Sequence, residues 1–286
     1  MMQKRGRLSP SPLLIAAPLS ADLGSGNGPR ERMLIDLHTH TKPRSWDSFI
    51  TPDEMVDLAK EADLDAMVLS EHDWTWEAEE VADLVKRHDF TIIRAMEINT
   101  EDGHILVFGL HEYKFGMHRS HELAEFVNAV DGVMIAAHPY RRQMPWKPDD
   151  EGEYADALAR ATLNPAYRFV TAIEVLNGRG SLEENEFSLR VRDEMHLPAT
   201  AANDTHQHDE KDQQMGRAAT YFEAEIETEQ QLIAALRSGR YWPLDLTKGK
   251  LTADPTYHDV PSDVGARWDA MAEARRALVE GAPGGG

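Results

Sequence analysis

The chain has 286 residues, no cysteine, 50 acidic and 30 basic side chains, and a formal net charge of −20. The length suits one large domain or two small ones, and the missing cysteines exclude disulfides, Cys-based zinc sites and thiol nucleophiles. The acidic balance argues against a stable nucleic-acid partner, because phosphate backbones are gripped by basic faces, and no apolar run approaches the roughly 18 residues of a membrane span.

Taken in chain order, Lys4, Arg5 and Arg7 precede a short apolar stretch split by prolines. This superficially resembles a signal peptide, but no small-x-small cleavage site follows. Residues 1–32 are therefore expected to be a loose tail, and cytoplasm is the expected compartment. Residues 33–37 (MLIDL) read as a strand. Thr51-Pro52-Asp53-Glu54 is a capping box with proline at the first helical position, opening a helix to about Ala62. Residues 66–69 (AMVL) are the next strand, 77–88 a helix, and 90–96 (FTIIRAM) a strand. The turn at Glu101-Asp102-Gly103 sends 104–110 (HILVFGL) back as a hairpin. Helices are expected over 123–130, 154–161, 182–195 and 227–238. Strands are expected over 132–137, 169–176, 198–202 and 218–225. Such near-continuous apolar strands are buried on both faces, which means a parallel sheet or barrel. After Lys250 the pattern weakens, with room for one last helix over 266–280 and a frayed end. The expected division is a tail (1–32), a catalytic barrel (33–250) and a C-terminal extension (251–286).

Residues able to bind metals follow the strands. Leu37 runs into His38-Thr39-His40, Leu69 into Ser70-Glu71-His72-Asp73, Met96 into Glu97, Ala137 into His138, Ile173 into Glu174, and Ala202 into Asn203-Asp204-Thr205-His206. In a closed parallel barrel those ends meet on one face, where active sites sit. With 13 histidines, about 0.6 His-x-His pairs are expected by chance, so one such motif means little. A lone histidine at a strand end is more often structural than a ligand. Six strand ends that agree weigh against that bland reading. His38 and His40 are two apart on a strand and face the same way. His208 reads as loop surface, and His88, His111, His118, His121, His196 and His258 as surface or structural.

The set Asp36-Leu37-His38-Thr39-His40-Thr41, Glu71-His72-Asp73, Glu97-Ile98, Gly103-His104-Ile105-Leu106, Ala137-His138-Pro139 and Asp204-Thr205-His206 resembles the PHP (polymerase and histidinol phosphatase) superfamily. The resemblance runs from about residue 33 to 242. It implies a distorted (β/α)7 barrel, two or three divalent ions and phosphoester hydrolysis. It implies a first ion on His38, His40, Glu97 and Asp204. A second would share Glu97 and add His104 and His138, and a third would use Asp47, His72 and His206. The family's Ser-Asp-Gly stretch is replaced here by Lys42-Pro43-Arg44-Ser45-Trp46-Asp47-Ser48, and Glu71 stands where aspartate is common.

Imidazoles and carboxylates suit Zn, Mn or Fe. A bridging carboxylate spaces two ions for displacement at phosphorus, and a metal-bound hydroxide is available near neutral pH. The expected substrate is a small phosphomonoester, such as a nucleotide or an amino-alcohol phosphate. Glu97, His206 and Arg141 are the expected catalytic residues, and Arg44, Arg141 and Arg179 the expected phosphate grips. Trp46, Trp74, Trp76 and Trp146 either line the pocket or pack in the core. Three alternatives remain at this point: an exonuclease on single-stranded ends, an amidohydrolase-like C–N hydrolase, and a non-catalytic metal-binding domain. Oligomeric state is not readable.

Overall fold

A computed structural model describes residues 32–281. The expected N-terminal tail, apart from Arg32, and the expected frayed end beyond residue 281 lie outside the described residues. Strands β1 (Met33–Thr39), β2 (Ala66–His72) and β3 (Thr91–Thr100) are parallel neighbours. Between them run α1 (Pro52–Glu61), with both bonds of the Thr51/Glu54 capping box formed, and α2 (Ala78–His88). β4 (Gly103–Phe108) returns antiparallel to β3, as the hairpin reading expects. After α3 (Ser120–Ala129), β5 (Val133–Ala136) pairs antiparallel with β4. The short α4 (Tyr140–Gln143) and α5 (Glu151–Ala161) lead to β6 (Ala172–Asn177). Then α6 (Leu182–Met195) leads to β7 (Ala199–Ala202), and β5, β6 and β7 are parallel.

The last part departs from a uniform parallel barrel. β8 (Ala218–Phe222) runs antiparallel to β1, and β9 (Tyr241–Asp245) antiparallel to β8. β9 is an edge strand that the sequence pattern did not reveal, and it tolerates Pro243 because an edge leaves one row of backbone groups unpaired. The result is a single nine-stranded sheet curled nearly shut. Closure comes where the segment after β7 meets β1. Asp204 N–H donates to the His38 carbonyl at 2.8 Å, and His40 N–H to the Thr205 carbonyl at 3.0 Å.

Alternate strand residues, among them Ile35, Leu37, Val68, Ala95, Leu106 and Ile135, form one cluster with Leu232, Ile233 and Leu236 of α7 (Glu229–Ser238). Helix α7 thus plugs the end of the barrel where the parallel strands begin, and leaves the opposite end free for polar groups. The chain after residue 250 is packed onto the barrel. Tyr257 stacks on Trp242 with ring centroids 5.5 Å apart, and in α8 (Val264–Gly281) the buried Trp268 donates to the Tyr241 carbonyl at 2.7 Å. Among the described residues no helix is long and apolar enough to cross a membrane.

Candidate metal centre

The strand ends gather at the open end of the barrel. His38 and His40 leave β1, His72 leaves β2 and Glu97 lies on β3. His104 opens the antiparallel β4, so its first residues lie beside the last residues of β3. His138 follows β5, and Asp204 and His206 follow β7. His138 and Asp204 hold left-handed backbone angles of φ 27° and 54°. Non-glycine residues reach such conformations at a cost, which clusters at functional sites.

Four sets of donor atoms converge, each within 4.8 Å: His38, His40 and Glu97; His38, His138 and Asp204; Glu97, His104 and His138; and His40, His72 and His206. Glu97 sits at the middle. Its Oε1 accepts from His104 Nδ1 at 2.8 Å and His138 Nε2 at 2.9 Å, and its Oε2 lies 3.4 Å from His40 Nε2 and 2.9 Å from His72 Nδ1. Asp204 Oδ1 lies 3.5 Å from His38 Nε2 and 3.3 Å from His40 Nε2. Asp47 stands at the outer rim, 3.2 Å from His72 Nε2 and 3.1 Å from His206 Nε2. It is brought there by a loop whose Ser48 hydroxyl donates to the His40 carbonyl at 2.6 Å and whose Phe49 N–H donates to the His206 carbonyl at 2.9 Å.

The donors fit a cation. Glu97 Oε2 and Asp204 Oδ1 are fully buried and take no hydrogen bond. The Nε2 atoms of His38 and His40 face each other at 2.9 Å. Buried acceptors without donors are rare and costly, and cations held by the set His38, His40 and Glu97 and by the set His38, His138 and Asp204 would give these atoms partners. Electrostatics agree. Burial alone would raise the Glu97 and Asp204 carboxyls, but the His38 imidazole holds both well below the usual carboxylate range, with His104 and His138 assisting at Glu97 and Arg141 at Asp204. Burial pushes His40 down to about 3 and also lowers His138 and His206, so these imidazoles are neutral. Neutral imidazole with ionised carboxylate is the donor state a divalent metal requires; at His38 and His72, which the neighbouring carboxylates raise, an ion would displace a proton.

Two of the expected grips adjoin this cluster. Arg141 bonds Asp204 Oδ2, and Arg179 Nη1 lies 3.7 Å from the same oxygen and 2.9 Å from His206 Nδ1. An open pocket of about 390 Å³ beside Arg179 is lined by Asp47, Phe49, His206, Asp212, Gln214 and Arg217 among others. Arg44 is not brought in. Its guanidinium lies 3.8 Å over the Trp74 ring and pairs with Glu80 at 3.4 Å, and it makes no ion pair with the cluster among the described residues. The tryptophans divide. Trp76 is buried and donates to Glu71 at 2.7 Å, whereas Trp46 and Trp146 are 87% and 95% exposed.

Two carboxylates of the strand ends serve the frame. Glu71 Oε2 accepts from the Thr41 N–H at 2.9 Å, and the carboxylate also takes the Thr41 and Ser45 hydroxyls, fixing the loop after His40. Glu174 stands behind His38, with Oε2 at 2.8 Å from Nδ1. Asp36, which sequence reasoning used only as part of a motif, accepts from Asn203 N at 3.0 Å, Asn203 Nδ2 at 2.7 Å and His38 N at 3.1 Å. No local signal marks these roles, because the partners are far apart in sequence. His208 is half-buried and accepts from the Met215 N–H at 3.3 Å, outside the converging groups.

Comparison with known proteins agrees with this geometry. The family model described as PHP domain matches residues 36–174, and the one described as PHP-associated matches residues 183–241. No curated protein sequence matches the chain. Among solved structures, an amidohydrolase from Chromobacterium violaceum with bound sulfate and no metal aligns with TM-score 0.50 and 16% identity over 74% of this chain and 97% of its own. A two-domain protein from Bacteroides vulgatus, containing a predicted PHP-like metal-dependent phosphoesterase, aligns with TM-score 0.52 and 20% identity over 75% of this chain and 65% of its own. Matching family models across most of the barrel, a shared fold and a converged histidine–carboxylate cluster lead to one conclusion: the chain belongs to the PHP superfamily.

Proposed function

We propose that this chain hydrolyses small phosphate monoesters with two or three divalent ions, Zn, Mn or Fe, at the open end of the barrel. The observation that carries the reading is the pair of buried, donorless oxygens on Glu97 and Asp204 beside the paired Nε2 atoms of His38 and His40. His38, His40, Glu97 and Asp204 would hold one ion. Glu97, His104 and His138 would hold a second, and Asp47, His72 and His206 a third. When bound, such ions activate water and neutralise charge on phosphoryl oxygens.

The chain's own residues do the rest. Glu97 offers both oxygens to opposite sides of the cluster and so sets the spacing. Arg141 and Arg179 are 30% and 34% exposed, and both approach Asp204 Oδ2 from the mouth. Their free guanidinium edges orient a phosphate dianion. His206 Nδ1 lies 2.8 Å from the Asp204 carbonyl, so the proton sits on Nδ1, and Nε2, beside Asp47, is left to hold an ion. The pocket beside it accommodates the leaving group.

The test is phosphate release from a panel of phosphomonoesters, amides and single-stranded oligonucleotides with added Mn²⁺, Zn²⁺ or Fe²⁺. We expect release from monoesters, and a loss of roughly a hundredfold or more in His38→Ala and Glu97→Ala with native circular dichroism. Undiminished activity in both variants, or turnover of the amides alone, overturns the proposal.

A further inference from the structure

We infer that Glu174 and Asn177, on β6, form a buried positioning relay that aims His38 and Asp204 at a common cation. The inference rests on the metal-dependent reading above. Both side chains are almost completely buried and lie outside the four converging donor sets. A buried carboxylate is costly unless each oxygen has a partner, and here both oxygens do. Glu174 Oε2 is 2.8 Å from His38 Nδ1, and Oε1 accepts from Asn177 Nδ2 at 2.7 Å. A carboxylate can only accept, so the proton between them sits on Nδ1. Once a cation takes the place of the second proton, the lone pair of His38 is thereby left on Nε2, facing His40 and Asp204.

Asn177 is itself held in one orientation. Its Oδ1 accepts from the Arg179 N–H at 3.0 Å, which turns its Nδ2 towards the carboxylates. From there Nδ2 reaches Asp204 Oδ2 at 3.3 Å as well as Glu174. The Asn177 backbone is clamped by Asn185 of α6, whose Oδ1 accepts from Asn177 N–H at 2.9 Å and whose Nδ2 donates to the Asn177 carbonyl at 3.3 Å. One strand end therefore fixes the tautomer of one donor and the direction of another, although neither relay residue joins the cluster.

Full-length protein stripped with a chelator is titrated with Mn²⁺ by calorimetry. Glu174→Ala should weaken one binding step by roughly 10–100-fold. Glu174→Gln keeps the shape, loses the charge and should weaken the same step by roughly tenfold. His72→Ala, at the outer rim, should affect a different step. A ¹⁵N-histidine spectrum of the metal-free protein, taken at alkaline pH where His38 carries a single ring proton, supplies a signature that general loosening would not move. The Nδ1–H signal of His38, identified by its loss in His38→Ala, should shift to the Nε2–H form in Glu174→Ala and persist in Asn177→Ala. Unchanged Mn²⁺ affinity and an unchanged Nδ1–H signal in both Glu174 variants overturn the relay. Absence of Mn²⁺ binding by the unaltered protein instead overturns the metal-dependent reading.

Discussion

A guanidinium grips a phosphate only with the edges its own surroundings leave free. Arg44 and Arg141 share a residue type and differ in those surroundings. Stacking on Trp74 and pairing with Glu80 engage Arg44, while Arg141 leans on Asp204 at the mouth of the cluster. Arg141→Ala should lower kcat/KM for a phosphomonoester by roughly a hundredfold, the loss of about 2–3 kcal/mol that a charged hydrogen bond carries. Arg44→Ala should stay within about twofold. Steady-state kinetics on the two variants decides it, and equal losses would return Arg44 to the site. The difference was not legible in the sequence, where both arginines simply follow a histidine motif. What was legible is the set His38, His40, His72, Glu97, His138, Asp204 and His206, because strand polarity alone puts strand ends on one face. Glu174 and Asp36 act through partners 136 and 167 positions away, and spacing does not report such pairs.

Closure of the sheet joins β7 to β8, where the Thr220 hydroxyl bridges the Ala201 N–H and carbonyl, and the segment after β7 to β1. β7 has only four residues, and the segment after it is tied to β1 by two backbone bonds and by Asp36, which takes three donors from Asn203 and His38. Asp36→Ala leaves those buried donors unpaired, at about 3 kcal/mol in total. The expected result is a melting temperature lower by roughly 6–12 °C, measured by calorimetry. A shift below about 2 °C would show that the backbone bonds suffice. Elements with strong periodicity or punctuation were readable: the capped α1, the turn of the β3–β4 hairpin, the amphipathic α7. The antiparallel pairing of β8 and the existence of β9 were not. Both have five residues, and β9 (YWPLD) lacks alternation and carries a proline that reads as a strand breaker.

At the scale of the whole molecule, a barrel plugged at one end by α7 concentrates Glu97, Asp204 and Glu174 in a dry site at the other. In the metal-free protein His38 is the counter-charge. Burial would lower its pKa, but Asp204, Glu174 and Glu97 raise it well above 6.5. A raised histidine stabilises the fold fully below its unfolded value of 6.5, and that contribution is lost as pH rises towards the folded value. Glu97 and Asp204 are depressed, so their contribution is present above their ordinary values of 4.5 and 3.8 and is lost only as pH falls through the lower folded ones. Below about pH 7 the lowered His40, His138 and His206 oppose this, because they gain a proton only on unfolding. Above about pH 7 the raised His38 and His72 govern the trend, and the metal-free protein should melt earlier as pH climbs to 8. A divalent ion takes the place of that proton, so its binding tightens over the same interval. Saturating Mn²⁺ at about a hundred times its Kd should add about 2.7 kcal/mol, or roughly 5–10 °C. At a fixed Mn²⁺ concentration the increment should be larger at pH 8 than at pH 6, and a chelator should abolish it. Melting curves at pH 6, 7 and 8, with and without Mn²⁺, measure both trends. An increment that is flat or larger at pH 6 would show that proton and metal do not compete for His38.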